Sequence, residues 1–406
     1  MSHTTGPSPV APPRARRSRS PHDPTESPGP EFERLEDGTV VVRSMRLART
    51  VLRAGGQVRQ AGFNAELVER GSAVMKPPIL YQEGEEHRRQ RTAIAHYFTP
   101  VAASERYRTV MEGFADKLLD EFRDRGGGDL SALSMRLAVR VAAEVVGLTD
   151  SLDPRMDRRL EAFFSIDPVR FSWRPDRLLR FLRTQGRMLR FYRLDVRPAI
   201  RARRARPRDD VISHLIGRGY KDADILVEAV TYGAAGMVTT REFIAMAAWH
   251  LLEDEALRRD YLGRDADGRK RLLAEVVRLE PVVGRLLRRV QAEVTLEVGG
   301  RRETLAPGTL VAVDVRGANG DVAAVGADPL ELDPARGMTA RGVQPFALAF
   351  GDGHHRCPGS YLALEEADVF LSRLLRLPGL RIASGPTLRF SALVQGYELR
   401  AFKLEV

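Results

Sequence analysis

The sequence predicts a mainly α-helical protein with a small β region, and three observations carry that prediction. Apolar residues recur at helical spacing over long stretches, as at Leu362, Ala363, Ala367, Phe370, Leu371, Leu374 and Leu375. Strand-type alternation is confined to short runs, Val294–Gly300 and Thr309–Val313, joined by a turn. After residue 31 no shift in composition divides the 406-residue chain, whose apolar share of 43% is enough for a substantial core. The expected organisation is therefore a disordered tail, 1–31, followed by one large unit, 32–406.

The tail is rich in Pro, Ser and Gly and carries Arg14, Arg16, Arg17 and Arg19, a composition that cannot bury enough apolar surface to offset chain entropy. Order is expected from Phe32, with a short helix within Leu47–Leu67 and a turn at Ala61-Gly62. Met75-Lys76-Pro77-Pro78-Ile79-Leu80 resists helix, because prolines remove donors and restrict their neighbours, and reads as a loop. A helix starting near Glu85 puts His87 and Arg91 one turn apart on one face, before Phe98-Thr99-Pro100 ends it. Two amphipathic helices fit Val110–Leu148, separated by Gly126-Gly127-Gly128.

Leu160–Arg206 mixes aromatics (Phe163, Phe164, Phe171, Trp173, Phe181, Phe191, Tyr192) with many arginines; an ordinary helix pair with a basic outer face fits it, and equally the mobile lid that the family resemblance given below implies. Its arginines could also pair with an acidic or phosphorylated carrier. Asp224–Leu252 is expected to be the longest helix, N-capped at Asp222 and apolar nearly all round, hence central. Inside it, Ala235 and Gly236 would let a flat group approach the backbone. Thr239 lies one turn beyond Ala235, where a mid-helix threonine bonds back to the carbonyl four residues earlier and bends the helix. Glu275-Val276-Val277-Arg278 places an acid and a base three apart before Pro281, and Leu393–Phe402 returns as a hairpin with Val394-Gln395-Gly396 against a pocket.

A net charge of +10 raises nucleic-acid binding, but the arginines are spread over many helices with neither zinc-finger spacing nor an aromatic RNA-binding signature, so no nucleic acid is expected. No run of eighteen apolar residues without charge occurs, so no membrane is expected either. The single cysteine excludes an internal disulfide and fits a reducing, cytoplasmic compartment.

That cysteine sits in Phe350-Gly351-Asp352-Gly353-His354-His355-Arg356-Cys357-Pro358-Gly359. The glycines imply a sharp reversal, and Pro358 suits the first position of the helix that follows. At a helix mouth, backbone N–H groups and the helix dipole favour the thiolate, the form a metal ligand requires. Three other readings compete. The thiol could be an inert buried side chain, a nucleophile, although no adjacent base and orienting group are visible, or part of a zinc cluster with His354 and His355, which wants four ligands and more cysteines.

The spacing Phe350, Gly353, His355, Cys357, Gly359 resembles the haem-binding loop of the cytochrome P450 family. The resemblance implies a cytochrome P450 fold, with a long central helix over haem b and the cysteine loop beneath. It implies Cys357 as the iron ligand, Phe350 packed beside the sulfur, and Gly353 passing close to the porphyrin. His87, Arg91, Arg289 and His355 would hold the propionates, and Ala235 and Gly236 would face the ring. Thr239 and Thr240 would manage protons, although Val238 stands where the family has Asp or Glu. Glu275 and Arg278 match the family's Glu-x-x-Arg pair, with Arg336 as third member. Ala318-Asn319-Gly320-Asp321 resembles Ala-Asn-Arg-Asp, with Gly320 in place of the arginine.

A thiolate ligand favours O–O cleavage, hence oxygenase chemistry on a small or carrier-bound molecule, a natural-product intermediate. Electrons would come from NAD(P)H through ferredoxin reductase and ferredoxin docking near Arg356, since the chain has neither a dinucleotide fingerprint nor an iron–sulfur cysteine set. Val238 leaves open oxidative cross-coupling of aromatic rings without oxygen insertion. A haem-thiolate sensor is the non-enzymatic alternative.

Overall fold

The computed structural model describes residues 29–63, 65, 76–164, 175–391 and 394–406. The expected tail up to residue 28, Met75, and the aromatics Phe171 and Trp173 lie outside the described residues. Two apolar clusters organise the rest. The larger joins the helices, and the smaller lies where a five-stranded sheet meets the helix Met45–Arg53.

In that sheet Phe32–Arg34 pairs with Val40–Val42, which runs parallel to Leu310–Asp314; Arg285–Val290 and Val58–Gln60 follow antiparallel. The expected helix within Leu47–Leu67 is thus shorter: it ends at Arg53, and Val58–Gln60 is a strand. Glycine forces the break. Gly56 takes φ +80°, and a Cβ on Gly55 would meet the His354 ring at 2.2 Å. The helices Arg108–Asp124 and Leu130–Val146 occur as expected, but the glycines between them are not a mere spacer. Gly127–Asp129 is a strand on Lys403–Glu405, so tight that a Cβ on Gly127 would lie 2.4 Å from the Leu404 carbonyl oxygen.

The central helical path runs from Asp222 to Glu253 and packs on Leu130–Val146. Its N-cap is Lys221 rather than Asp222, because the Asp224 carboxylate reaches back to the Lys221 N–H (3.2 Å). Asp222 instead accepts from Arg204 (2.5 Å) and the Tyr192 hydroxyl (3.2 Å). Midway, Gly233–Val238 widens into a π turn. The Thr239 and Thr240 hydroxyls donate to the carbonyls of Ala235 (2.5 Å) and Gly236 (2.6 Å), the back-bonding expected of threonine inside a helix.

The cysteine helix, Ser360–Leu374, is buried along most of its length against Arg108–Asp124 and Ala266–Leu279. Gly359 is its N-cap, so Pro358 stands one residue before the cap and not at the first helical position. Glu275 and Arg278 form no surface pair. Buried Glu275 accepts from Arg278 Nε (2.6 Å) and Nη2 (2.8 Å), from Arg336 Nε (2.9 Å) and from the Asp333 N–H (3.1 Å). Arg278 also donates to the carbonyls of Asn319 and Pro329, both at 2.8 Å. Gly320 leaves the adjacent segment intact: Asn319 bridges the Arg278 carbonyl (2.9 Å) and the Leu348 N–H (2.8 Å), and Asp321 accepts from Met45 N (2.8 Å).

Candidate active site

A cavity of about 1070 Å³ brings together residues far apart in the chain. The central helix contributes Thr231, Tyr232, Ala235, Gly236, Val238, Thr239 and Thr240; the cysteine loop contributes Phe350, His355, Cys357 and Gly359. A Cβ on Gly236 would meet nothing within 4 Å, so bare backbone faces open space there. Phe181, Thr184, Gln185 and Met188, on the helix Pro175–Phe191, close another side.

The cysteine loop is set by backbone geometry. Cys357 N donates to the Phe350 carbonyl (2.8 Å), and the Phe350 ring stands edge-on to Phe346 with centroids 4.9 Å apart. Gly353 takes φ +68°, and a Cβ there would lie 2.2 Å from the Leu52 carbonyl oxygen. Its glycine is therefore required by approach to the helix Met45–Arg53. Burial pushes the Cys357 thiol up, while the Gly359 N–H and the guanidinium groups of Arg91 and Arg356 pull it down. Helix-mouth stabilisation of the thiolate thus does not win in the protein alone; a bound cation would decide it.

One end of the cavity is cationic. His87, Arg91, His355 and Arg288 all line it. The His87 and His355 rings lie 4.3 Å apart, and His355 Nε2 meets Glu83 Oε1 at 3.0 Å. Burial, then His355 and Arg91, pushes His87 down to about 4, so it is neutral at physiological pH. Arg91 donates to the Arg356 carbonyl.

Arg289 is not brought to this cavity. Its guanidinium donates to the Gly308 carbonyl (3.1 Å), on the other side of the strand. Neighbours on a strand face opposite ways, and the register places Arg288 opposite Gln60 and Arg289 opposite Arg59. Arg288 is buried, donates to Gln60 Oε1 and to the Leu287 carbonyl (2.9 Å), and forms no ion pair among the described residues. Desolvation lowers it to about 10, with Glu83 the only opposing charge. A buried guanidinium with no ion-pair partner among the described residues, beside the half-buried Arg91 and two histidines, fits the carboxylates of a planar cofactor.

Sequence reasoning also missed the clasp that holds the loop beside the cavity. Asp224 and Glu228, one turn apart on the central helix, accept from the backbone N–H groups of Lys76 (2.9 Å) and Ile79 (3.0 Å). Gln90 donates to the same Glu228 oxygen (3.0 Å) and accepts from the Tyr220 hydroxyl (2.9 Å). Burial, against the bonds from Gln90 and Ile79, pushes Glu228 up to about 7. The available signal was carboxylates inside an apolar helix. Glu366, on the cysteine helix, also lines the cavity; burial pushes it up to about 8, and its Oε1 has no protein partner. Glu242 is committed elsewhere, to Arg241 (2.8 Å), Arg400 (2.7 Å) and the Leu399 N–H (2.6 Å).

No helix among the described residues is long and apolar enough to cross a membrane. The Cytochrome P450 family profile matches residues 270–381. Mycinamicin IV hydroxylase/epoxidase from Micromonospora griseorubida is 30% identical over 355 residues, covering 84% of this chain and 83% of that one. Pulcherriminic acid synthase from Bacillus subtilis is 26% identical over 324 residues, 76% of each chain. Among solved structures, HmtN, a post-tailoring hydroxylase involved in himastatin biosynthesis, superposes with a TM-score of 0.72 at 26% identity over 94% of this chain and 95% of that one. With the cysteine loop, the distorted central helix and similarity over 84% of the chain in agreement, this chain belongs to the cytochrome P450 family, and it is a haem oxidoreductase of the monooxygenase type.

Proposed function

We propose that this enzyme hydroxylates a small natural-product intermediate, with Cys357 as the haem ligand. The observation that carries the reading is the single cavity in which Cys357, the threonine-bent π turn and the cationic end converge. When bound, the haem supplies dioxygen activation with two electrons. Cys357 provides the thiolate, with the Gly359 N–H and Arg91 beside it. Arg91, Arg288, His355 and neutral His87 hold the propionates. Ala235 and Gly236 would let the ring approach, and Phe350, whose carbonyl accepts from the Cys357 N–H, would flank the sulfur.

The Thr239 and Thr240 hydroxyls guide protons into the groove that the π turn opens. Val238 carries no proton and Glu242 is held by two arginines and a backbone amide, so the protons come through water or from a substrate group within hydrogen-bond reach. Support for a natural-product substrate comes from mycinamicin IV hydroxylase/epoxidase and from HmtN. Electrons reach the cofactor from NAD(P)H through ferredoxin reductase and a ferredoxin docked near Arg356.

With isotopically labelled dioxygen, a ferredoxin system and NAD(P)H, the product carries one labelled oxygen. Coupled product without label overturns hydroxylation in favour of ring coupling, the second reading, which the missing acid at Val238 favours. A further contrast tests the propionate set. Arg288→Gln weakens haem retention about tenfold, as expected for loss of one charge-assisted hydrogen bond, whereas Arg289→Gln leaves it unchanged. Haem titration of both variants checks this, and equal losses would put Arg289 back in the site.

A further inference from the structure

The helical path from Pro175 to Ala205 has two unlike sides. Phe181, Thr184, Gln185 and Met188 face the cavity. Leu179, Leu182 and Leu189 face away from it and are 49%, 56% and 45% exposed, which is unusual for leucine on one helix. Exposed arginines lie among and after them: Arg183, Arg190, Arg193, Arg197 and Arg201. None of the five has an anionic partner among the described residues. Their neighbours do: Arg203 pairs with Asp150 (2.6 Å) and Asp210, and Arg204 with Asp222 (2.5 Å). The uncompensated charge is therefore confined to the outward side of the path, next to an apolar strip.

We propose that this outer side docks an acidic carrier protein that presents an amphipathic helix and delivers the substrate on a flexible covalent arm. Charge complementarity selects an acidic partner, since the leucines need an apolar counterpart and the arginines a row of carboxylates. Position selects a carrier. The docking helix is also a cavity wall, so a partner seated on its outside lies within a helix diameter of the cavity that its arm must reach. The proposal rests on the cavity being the substrate site and leaves the redox partner on the face near Arg356.

The test uses the full-length holoenzyme and three probes: an acidic acyl carrier protein loaded with a long-chain acyl group, a plant-type ferredoxin, and phosphatidylglycerol vesicles. Binding to the carrier is expected to fall steeply with added salt. Arg190→Glu, Arg193→Glu and Arg197→Glu combined should weaken it at least about tenfold, with ferredoxin affinity unchanged and no binding to vesicles. Leu182→Ser, which leaves charge alone, should weaken the carrier complex at every salt concentration. Unchanged carrier affinity in the charge-reversed variant, or no carrier binding by the wild type, overturns the proposal. So does a loss confined to vesicles, which would make the helix a lipid contact, or one confined to ferredoxin. The carbon monoxide spectrum of each variant stands apart from binding: a wild type without a thiolate-haem band refutes the cavity reading while the docking result stands on its own.

Discussion

Cys357→Ser abolishes the strongly red-shifted Soret band of the dithionite-reduced, carbon-monoxide-bound protein, and turnover falls to background. A serine hydroxyl occupies nearly the same place but does not ionise to give the soft, electron-rich donor that thiolate provides. The loop itself survives the change. The Cys357 N–H still donates to the Phe350 carbonyl, and Gly353 still packs on Leu52, so the variant keeps the wild-type unfolding midpoint in its haem-free form. Haem retention with a spectrum like that of an oxygen-ligated iron is the expected companion result. A red-shifted band indifferent to the substitution would remove Cys357 from the site, and the enzymatic assignment of the loop with it.

Glu275→Gln costs about 3–5 kcal/mol of stability, the penalty for breaking a buried ion-pair network from one side. Glutamine keeps the volume, so packing is not the cause. What is lost is the charge opposing Arg278 and Arg336, whose guanidinium groups are almost wholly buried, at 1% and 5% side-chain exposure. Glutamine's amide also turns a donor towards groups that only donate. The surface pair Arg381–Glu405, at 2.7 Å with Arg381 71% exposed, supplies the contrast: Glu405→Gln costs less than about 1 kcal/mol. Urea unfolding of the haem-free variants separates the two. Similar midpoints for both would mean that Glu275 is as well solvated as Glu405, contrary to the fold.

The features that were legible in the sequence are local ones. The cysteine loop packs its signature into ten residues, and Glu275–Arg278 lies within one helical turn, so spacing together with the family pattern locates both. Arg336 was reachable because it continues the same family pattern. The Arg288–Arg289 pair shows where such reading stops. Two adjacent arginines on a strand face opposite sides, and the choice belongs to pairing with Val58–Gln60, more than two hundred residues earlier. Glu228 was only half legible for a related reason: a carboxylate inside an apolar helix signals a partner, but the partners, the Ile79 amide and Gln90, lie far earlier in the chain, and a backbone amide carries no sequence signal. At Gly353 a Cβ would meet the Leu52 carbonyl, a contact that only the packed structure reveals.

The π turn divides the central helix into two levers with different anchors. The first, Asp222–Tyr232, is fastened to the loop through the amides of Lys76 and Ile79. The second, Thr239–Glu253, is fastened through Glu242 and Leu399 to the strand Gly396–Arg400, which pairs with Thr387–Ser391, and to Glu280 through His250 (3.1 Å). Between them Gly233–Val238 buries Met237 and Val238, packs on Leu130–Val146 and is stitched by two threonine hydroxyls. A bulky guest that pushes the loop outward pulls on the first lever, and the displacement is taken up at the joint before it reaches the second. The pocket can therefore reshape for different guests while the loop bearing Cys357 keeps its seat.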